Sequence, residues 1–173
     1  VVDECFIPFT DEPSIVYALE THPHLLVLRA FTKLYSLAGI RLGHLVGNAQ
    51  LLKSISPFGA EWSVSIPAQV CGIEALKQEP SWSIETKNFI TKEKKFMIDS
   101  LEMLGLKVFP AAANFMLVQS KIPLFETLRD SGLLVRDCSN FDGLDEHYIR
   151  IGLLSHEANL ELIREIRRIV NVK

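Results

Sequence analysis

Arg29-Ala30-Phe31-Thr32-Lys33-Leu34-Tyr35-Ser36-Leu37-Ala38-Gly39-Ile40-Arg41-Leu42-Gly43 is the stretch from which the fold of this 173-residue chain can be read. Just ahead of it, Leu25-Leu26-Val27-Leu28 is a short continuous apolar run, the pattern of a strand buried on both faces of a parallel sheet. The pattern predicts a strand from Leu25 to Phe31, a loop of small residues over 34–40, and a further strand from Ile40 to Val46. Lys33 then stands just past a buried strand, where its amine is one of the few side-chain groups able to form an imine with an aldehyde cofactor. Taken alone, Lys33 reads more readily as a solvated loop lysine, so its neighbours decide.

Upstream, Val1-Val2-Asp3-Glu4 reads as the last part of a buried strand, with Pro8 forbidding regular continuation. Asp3 therefore lies at a strand end, where ligands gather in open α/β sheets. The abrupt opening suggests the C-terminal portion of a longer protein. Residues 14–20 predict a turn or two of helix, Ala49–Ser56 a short helix, and Pro67–Lys77 a helix of small and apolar residues, with proline suited to its first turn. Ala68, Cys71, Gly72 and Ala75 make that helix thin, as close packing on a sheet or a partner subunit requires.

Around Pro80–Ser83 the composition turns from apolar to charged, which places a domain boundary between 1–82 and 83–173. A long amphipathic helix is expected over Ile84–Leu104, with Ile84, Phe89, Phe96, Leu101 and Leu104 on one face and Lys92-Glu93-Lys94-Lys95 on a solvated one. Strands follow at Leu106–Phe109, Asn114–Val118, Leu133–Arg136 and Tyr148–Gly152, with helices at Leu124–Ser131 and Ser155–Val170. The fold class is α/β, a mostly parallel sheet followed by a smaller sheet covered by helices on one side.

With 48% hydrophobic residues, 18 basic and 21 acidic residues and a net charge of −3, the chain offers no broad basic surface for nucleic acid. No apolar run approaches the ~20 residues that cross a bilayer. Cys5, Cys71 and Cys138 have neither disulfide-framework nor zinc-site spacing, so a reduced, cytoplasmic setting is the default and no metal is expected. The balance points to small-molecule chemistry.

Asp3, Lys33 and Arg41 stand at successive strand ends, and a pyridoxal phosphate enzyme needs a lysine for its aldehyde, a carboxylate for its ring nitrogen and an arginine for its phosphate. The motif D-E-x-F, followed about thirty residues on by T-K-x-x-x-x-x-G-x-R-x-G, resembles the fold-type I pyridoxal phosphate enzymes of the class I/II aminotransferase family along essentially the whole chain. The resemblance implies that residues 1–82 are the C-terminal part of the large cofactor-binding domain and 83–173 the small C-terminal domain. It makes Lys33 the catalytic lysine that carries pyridoxal 5'-phosphate, pairs Asp3 with the pyridine nitrogen, puts Thr32 and Arg41 at the phosphate, and gives Arg150, in Tyr148-Ile149-Arg150-Ile151-Gly152, the substrate carboxylate. Two departures stand out: Ala30 replaces a frequent hydroxyl residue three before the lysine, and Phe6 replaces a tyrosine that touches the cofactor's phenolic oxygen.

Within the family the chain resembles the branch of histidinol-phosphate aminotransferase and threonine-phosphate decarboxylase. Trp62-Ser63-Val64 and Arg136-Asp137-Cys138-Ser139-Asn140-Phe141-Asp142-Gly143-Leu144 are more similar to the decarboxylase of cobamide side-chain synthesis, whereas the aminotransferase reads P-G-L and R-I-T-V-G-T in that region. The implied substrate is an amino acid or amino-alcohol phosphate, and the implied assembly a homodimer. Two other readings stay open: a catalytically incomplete or non-enzymatic homologue, which as 173 residues would neither hold the cofactor tightly nor turn over, and a plain α/β binding module.

Overall fold

In the computed structural model, which describes residues 1–171, the apolar segments around Lys33 become a three-stranded sheet of β1 (Val2–Asp3), β2 (Leu26–Ala30) and β3 (Gly43–Gly47) in that order. β1 and β2 run parallel, with Val2 opposite Val27 and Asp3 opposite Leu28. Parallel pairing puts their carboxyl ends at one edge, so the residues that follow Asp3 and Ala30 leave the sheet together. β3 returns antiparallel, with Ala30 opposite Gly43. That approach is close: a Cβ on Gly43 would lie 2.9 Å from the Arg29 carbonyl oxygen, which excludes any side chain without backbone movement.

The third strand begins later than the predicted Ile40. Ala38–Ile40 forms one 3-10 turn, and Arg41 takes a left-handed conformation (φ 59°) that an extended strand cannot include. Residues 15–20 form a 3-10 helix capped by Ser14, whose hydroxyl accepts from the Val16 amide. Two α-helices follow, α1 (Ala49–Ile55) and α2 (Ile66–Lys77), the second opened by Ser65 as cap. The small face of α2 turns inward: Ala68 and Gly72 are buried, and a Cβ on Gly72 would meet Leu42 Cδ2 at 2.5 Å. Ile66, Val70, Ile73 and Leu76 stay exposed on its other side.

The chain divides into two units, Val1–Lys87 and Asn88–Lys173. Helix α3 (Ser81–Met103) runs through the division. In the second unit, β4 (Lys107–Val108), β5 (Phe115–Gln119), β6 (Arg136–Asp137) and β7 (Tyr148–Gly152) form an antiparallel sheet in the order β4-β5-β7-β6. Alternation buries Met116 and Val118 on β5 and Ile149 and Ile151 on β7, leaving Arg150 exposed between them. Met97 and Leu101 of α3, Leu128 of α4 (Phe125–Asp130) and Leu162, Ile163 and Ile166 of α5 (His156–Asn171) complete the buried set.

Sequence and structure part company at three places in and around α3 and β6. Ile84 and Phe89 are exposed rather than buried. Glu93, expected on a solvated face with its lysine neighbours, is 1% exposed. Its carboxylate accepts from Asn159 Nδ2 at 3.0 Å and lies 3.1 Å from His156 Nδ1. The strand expected at Leu133–Arg136 begins only at Arg136, because α4 ends in a turn with Gly132 at φ 80° and the Leu133 amide bonded back to the Leu128 carbonyl.

Candidate active site

The loop from Phe31 to Leu42 leaves the sheet through a closed neck, where the Phe31 amide donates to the Leu42 carbonyl at 3.1 Å. Inside it, Thr32 and Lys33 form a turn in which the Tyr35 and Ser36 amides reach back to Phe31 and Lys33 carbonyls. The far side of the turn is anchored: Tyr35 stacks on Phe31 with ring centroids 5.1 Å apart, its hydroxyl donates to Glu79 at 2.6 Å, and Trp82 Nε1 donates to the Leu34 carbonyl at 2.8 Å. Lys33 is thereby presented outward and exposed, its Nζ 5.8 Å from the centre of the Phe6 ring.

Thr32, Lys33 and Arg41 line one cleft of about 410 Å³, together with Cys5, Ala30 and Gly43. Arg41 holds its left-handed turn through Nη1, which donates to the Ala38 carbonyl at 2.9 Å. A non-glycine residue in that conformation is strained by roughly 1 kcal/mol, a cost often met at functional sites. Asp3 adjoins through Cys5, whose thiol and then amide (2.8 Å) donate to the Asp3 carboxylate and hold its carboxyl below the ordinary range. Asp3 is therefore an anion at neutral pH. In return burial, followed by the bond to Asp3 and its charge, pushes the Cys5 thiol up to about 11, against the opposing pull of Lys33.

These residues fit pyridoxal 5'-phosphate. A primary amine, an ionised carboxylate, and a hydroxyl with a guanidinium match the aldehyde, ring nitrogen and phosphate. The small residues Ala30 and Gly43 leave the cleft room.

Arg150 belongs to the second unit, and the structure adds a residue there that sequence reasoning missed. Arg136 on β6 is the cross-strand partner of Arg150 on β7. The Arg150 guanidinium lies 4.9 Å from the centre of the Phe115 ring, and that of Arg136 lies 5.5 Å from Phe141 while donating to Asn140 Oδ1 at 3.0 Å. Among the described residues neither forms an ion pair with a carboxylate. Like charges directly across two strands repel, and an anion held between the two guanidiniums would relieve that repulsion. Burial pushes the nearby Cys138 thiol up, against the pull of Arg150 and Arg136. Only strand register, which no local motif reveals, pairs the two.

A sequence profile described as aminotransferase class I and II matches residues 1–166. Threonine-phosphate decarboxylase of Salmonella typhimurium is 33% identical over 180 residues, covering 98% of this chain and 48% of that protein. Histidinol-phosphate aminotransferase 2 of Archaeoglobus fulgidus is 34% identical over 171 residues, covering 98% and 49%. The solved histidinol-phosphate aminotransferase from Clostridium acetobutylicum superposes with a TM-score of 0.91 at 29% identity, covering 99% of this chain and 54% of that one. The chain spans about half the length of the curated relatives it matches.

Proposed function

Because the chain belongs to the class I and II aminotransferase family, whose cofactor is pyridoxal 5'-phosphate, we propose that it acts on a phosphorylated amino acid in the manner of a threonine-phosphate decarboxylase. The observation that carries this reading is the Arg136–Arg150 pair without an acid partner. Threonine phosphate bears both a carboxylate and a phosphate, one anion for each guanidinium. Arg150 takes the carboxylate in its planar fork and Arg136 the phosphate.

When bound, pyridoxal phosphate supplies an electron sink for a bond broken at the substrate's Cα. Lys33 would provide the amine that holds the aldehyde and the group that serves as base or acid towards the substrate. Asp3 holds a proton at the pyridine nitrogen, its own ionisation secured by Cys5. Thr32 and Arg41 bind the cofactor phosphate. Phe6 packs against the lysine side chain and offers no hydroxyl to the ring.

A second reading, histidinol-phosphate aminotransferase, is favoured by the Archaeoglobus and Clostridium relatives. The two differ in which Cα bond breaks, so they are separated by assaying the whole protein with added cofactor on threonine phosphate and on histidinol phosphate, with Lys33→Ala as control. Carbon dioxide release independent of any keto acid supports the decarboxylase. Amino transfer that requires a keto acid defeats it and selects the aminotransferase.

The same reading includes a homodimer, supported by the exposed apolar face of α2, and a reduced, cytoplasmic setting, supported by the free state of Cys5, Cys71 and Cys138. No helix among the described residues is long and apolar enough to cross a membrane. It also holds residues 1–82 to be cofactor-binding and 83–173 to be the small domain. The 173 residues by themselves leave Lys33 and Arg41 open to water, and we expect them not to turn over.

A further inference from the structure

We infer that Glu4 is a positioning residue for the lysine site, acting through Arg29 from the opposite face of the sheet. The inference rests on reading Lys33 and Asp3 as the cofactor's ligands. Glu4 directly follows Asp3, and an extended chain sends consecutive side chains to opposite faces. Its amide prolongs the parallel pairing by donating to the Leu28 carbonyl at 2.8 Å. On β2, Leu28, Arg29 and Ala30 all border the cleft, and the Arg29 guanidinium is paired with Glu4.

Glu4 is 4% exposed. Its carboxylate accepts from Ser14 Oγ at 2.7 Å, the Ile15 amide at 2.6 Å, and Arg29 Nε and Nη2 at 3.1 and 3.0 Å. One buried anion therefore joins three segments: the end of β1 that carries Asp3, the strand that leads into Lys33, and the far end of the loop containing Cys5 and Phe6. A buried ion pair is weak evidence for stability, because desolvation offsets the attraction. Four converging bonds do fix geometry, and misplacing a reacting group by ~1 Å can cost on the order of a hundredfold in rate. Burial would raise the Glu4 carboxyl, but the bonds from Ile15, Ser14 and Arg29 outweigh it and hold the carboxyl below the ordinary range. The clamp is thus charged at neutral pH.

The test compares Arg29→Lys, which keeps the charge and loses the fork, and Ser14→Ala, which removes one donor of four together with the cap of the short helix at residues 15–20. In the whole protein loaded with pyridoxal 5'-phosphate, two quantities are read beside the melting temperature: the pH midpoint of the bound cofactor's visible absorbance and the rate of cofactor release on dialysis. The cofactor-free protein is read by amide exchange across residues 31–36. The expected result for Arg29→Lys is a midpoint moved by roughly half a unit or more, release about tenfold faster, and faster exchange at the lysine turn. Ser14→Ala should show smaller changes of the same sign, beside the modest fall in melting temperature that loss of a cap brings. Midpoint, release and exchange all equal to the parent's in both variants, whatever the melting temperature, overturn the inference. A parent protein that takes up no cofactor overturns instead the reading of Lys33.

Discussion

Replacing Glu93 by alanine probes the interior of the second unit. The carboxylate is 1% exposed, so the substitution removes a charge-assisted bond from Asn159 worth about 1.5–3 kcal/mol. It also vacates a small volume, adding roughly 1 kcal/mol of cavity cost. Two escapes limit the damage. Asn159 Nδ2 still reaches the Leu154 carbonyl at 3.1 Å, and the His156 side chain, 45% exposed, can turn to water. The loss should therefore be about 2–3 kcal/mol, below the ~3–5 kcal/mol of a fully buried broken pair. Glu93→Leu fills the space and should lose about 1 kcal/mol less. Trp62 and Trp82 both lie in the first unit, so tryptophan fluorescence would not report on this change. The suitable assay is hydrogen exchange at the Leu154, Ala158 and Asn159 amides under increasing urea. Alanine and parent proteins within about 0.5 kcal/mol of each other would refute the reasoning, since that is the range of an ordinary surface substitution.

Arg41→Gly should raise the melting temperature by relieving the left-handed backbone, worth about 1 kcal/mol, while weakening retention of the phosphate-bearing cofactor; equilibrium dialysis alongside calorimetry checks both directions. Burial, then the bond to Glu79 and its charge, raise the Tyr35 phenol above its ordinary 10.0. The stabilisation this gives is whole below the ordinary value and is lost as pH rises through the raised one, so spectrophotometric titration should show one late-ionising phenol that Tyr35→Phe removes. With its thiol pushed up to about 11, Cys5 should alkylate slowly at neutral pH, faster in Asp3→Asn and slower still in Lys33→Ala, as peptide mass spectrometry would record.

The strands beside Lys33 were legible because continuous apolar runs and glycines are local signals. The same holds for α2, where a proline suits the first turn, and for α5, whose apolar spacing marks it. Glu93 was not legible: a glutamate among lysines gives no local sign of partners 63 and 66 residues away. Glu4 escaped notice for the same reason, its partners lying 10, 11 and 25 residues on. Arg136 was quoted as part of a motif, but its place opposite Arg150 is a property of register. The late start of β3 has a different cause, since nothing in Gly39-Ile40-Arg41 announces that an arginine will take the left-handed turn. At the candidate site, the expected residues came from the family resemblance of the motifs around Asp3 and Lys33, whereas the supports behind the lysine turn, Tyr35, Glu79 and Trp82, came only from three-dimensional packing.

The bond between Phe31 and Leu42 turns the intervening loop into a ruler. Both ends are fixed to the same pair of strands, so the path from Lys33 to Arg41 has a set length and no slack to redistribute. A residue inserted between them would have to bulge away from the sheet, carrying one of the two cations with it. Exchanges that keep the count, such as at Gly39, where a Cβ would meet nothing within 4 Å, leave the measure intact.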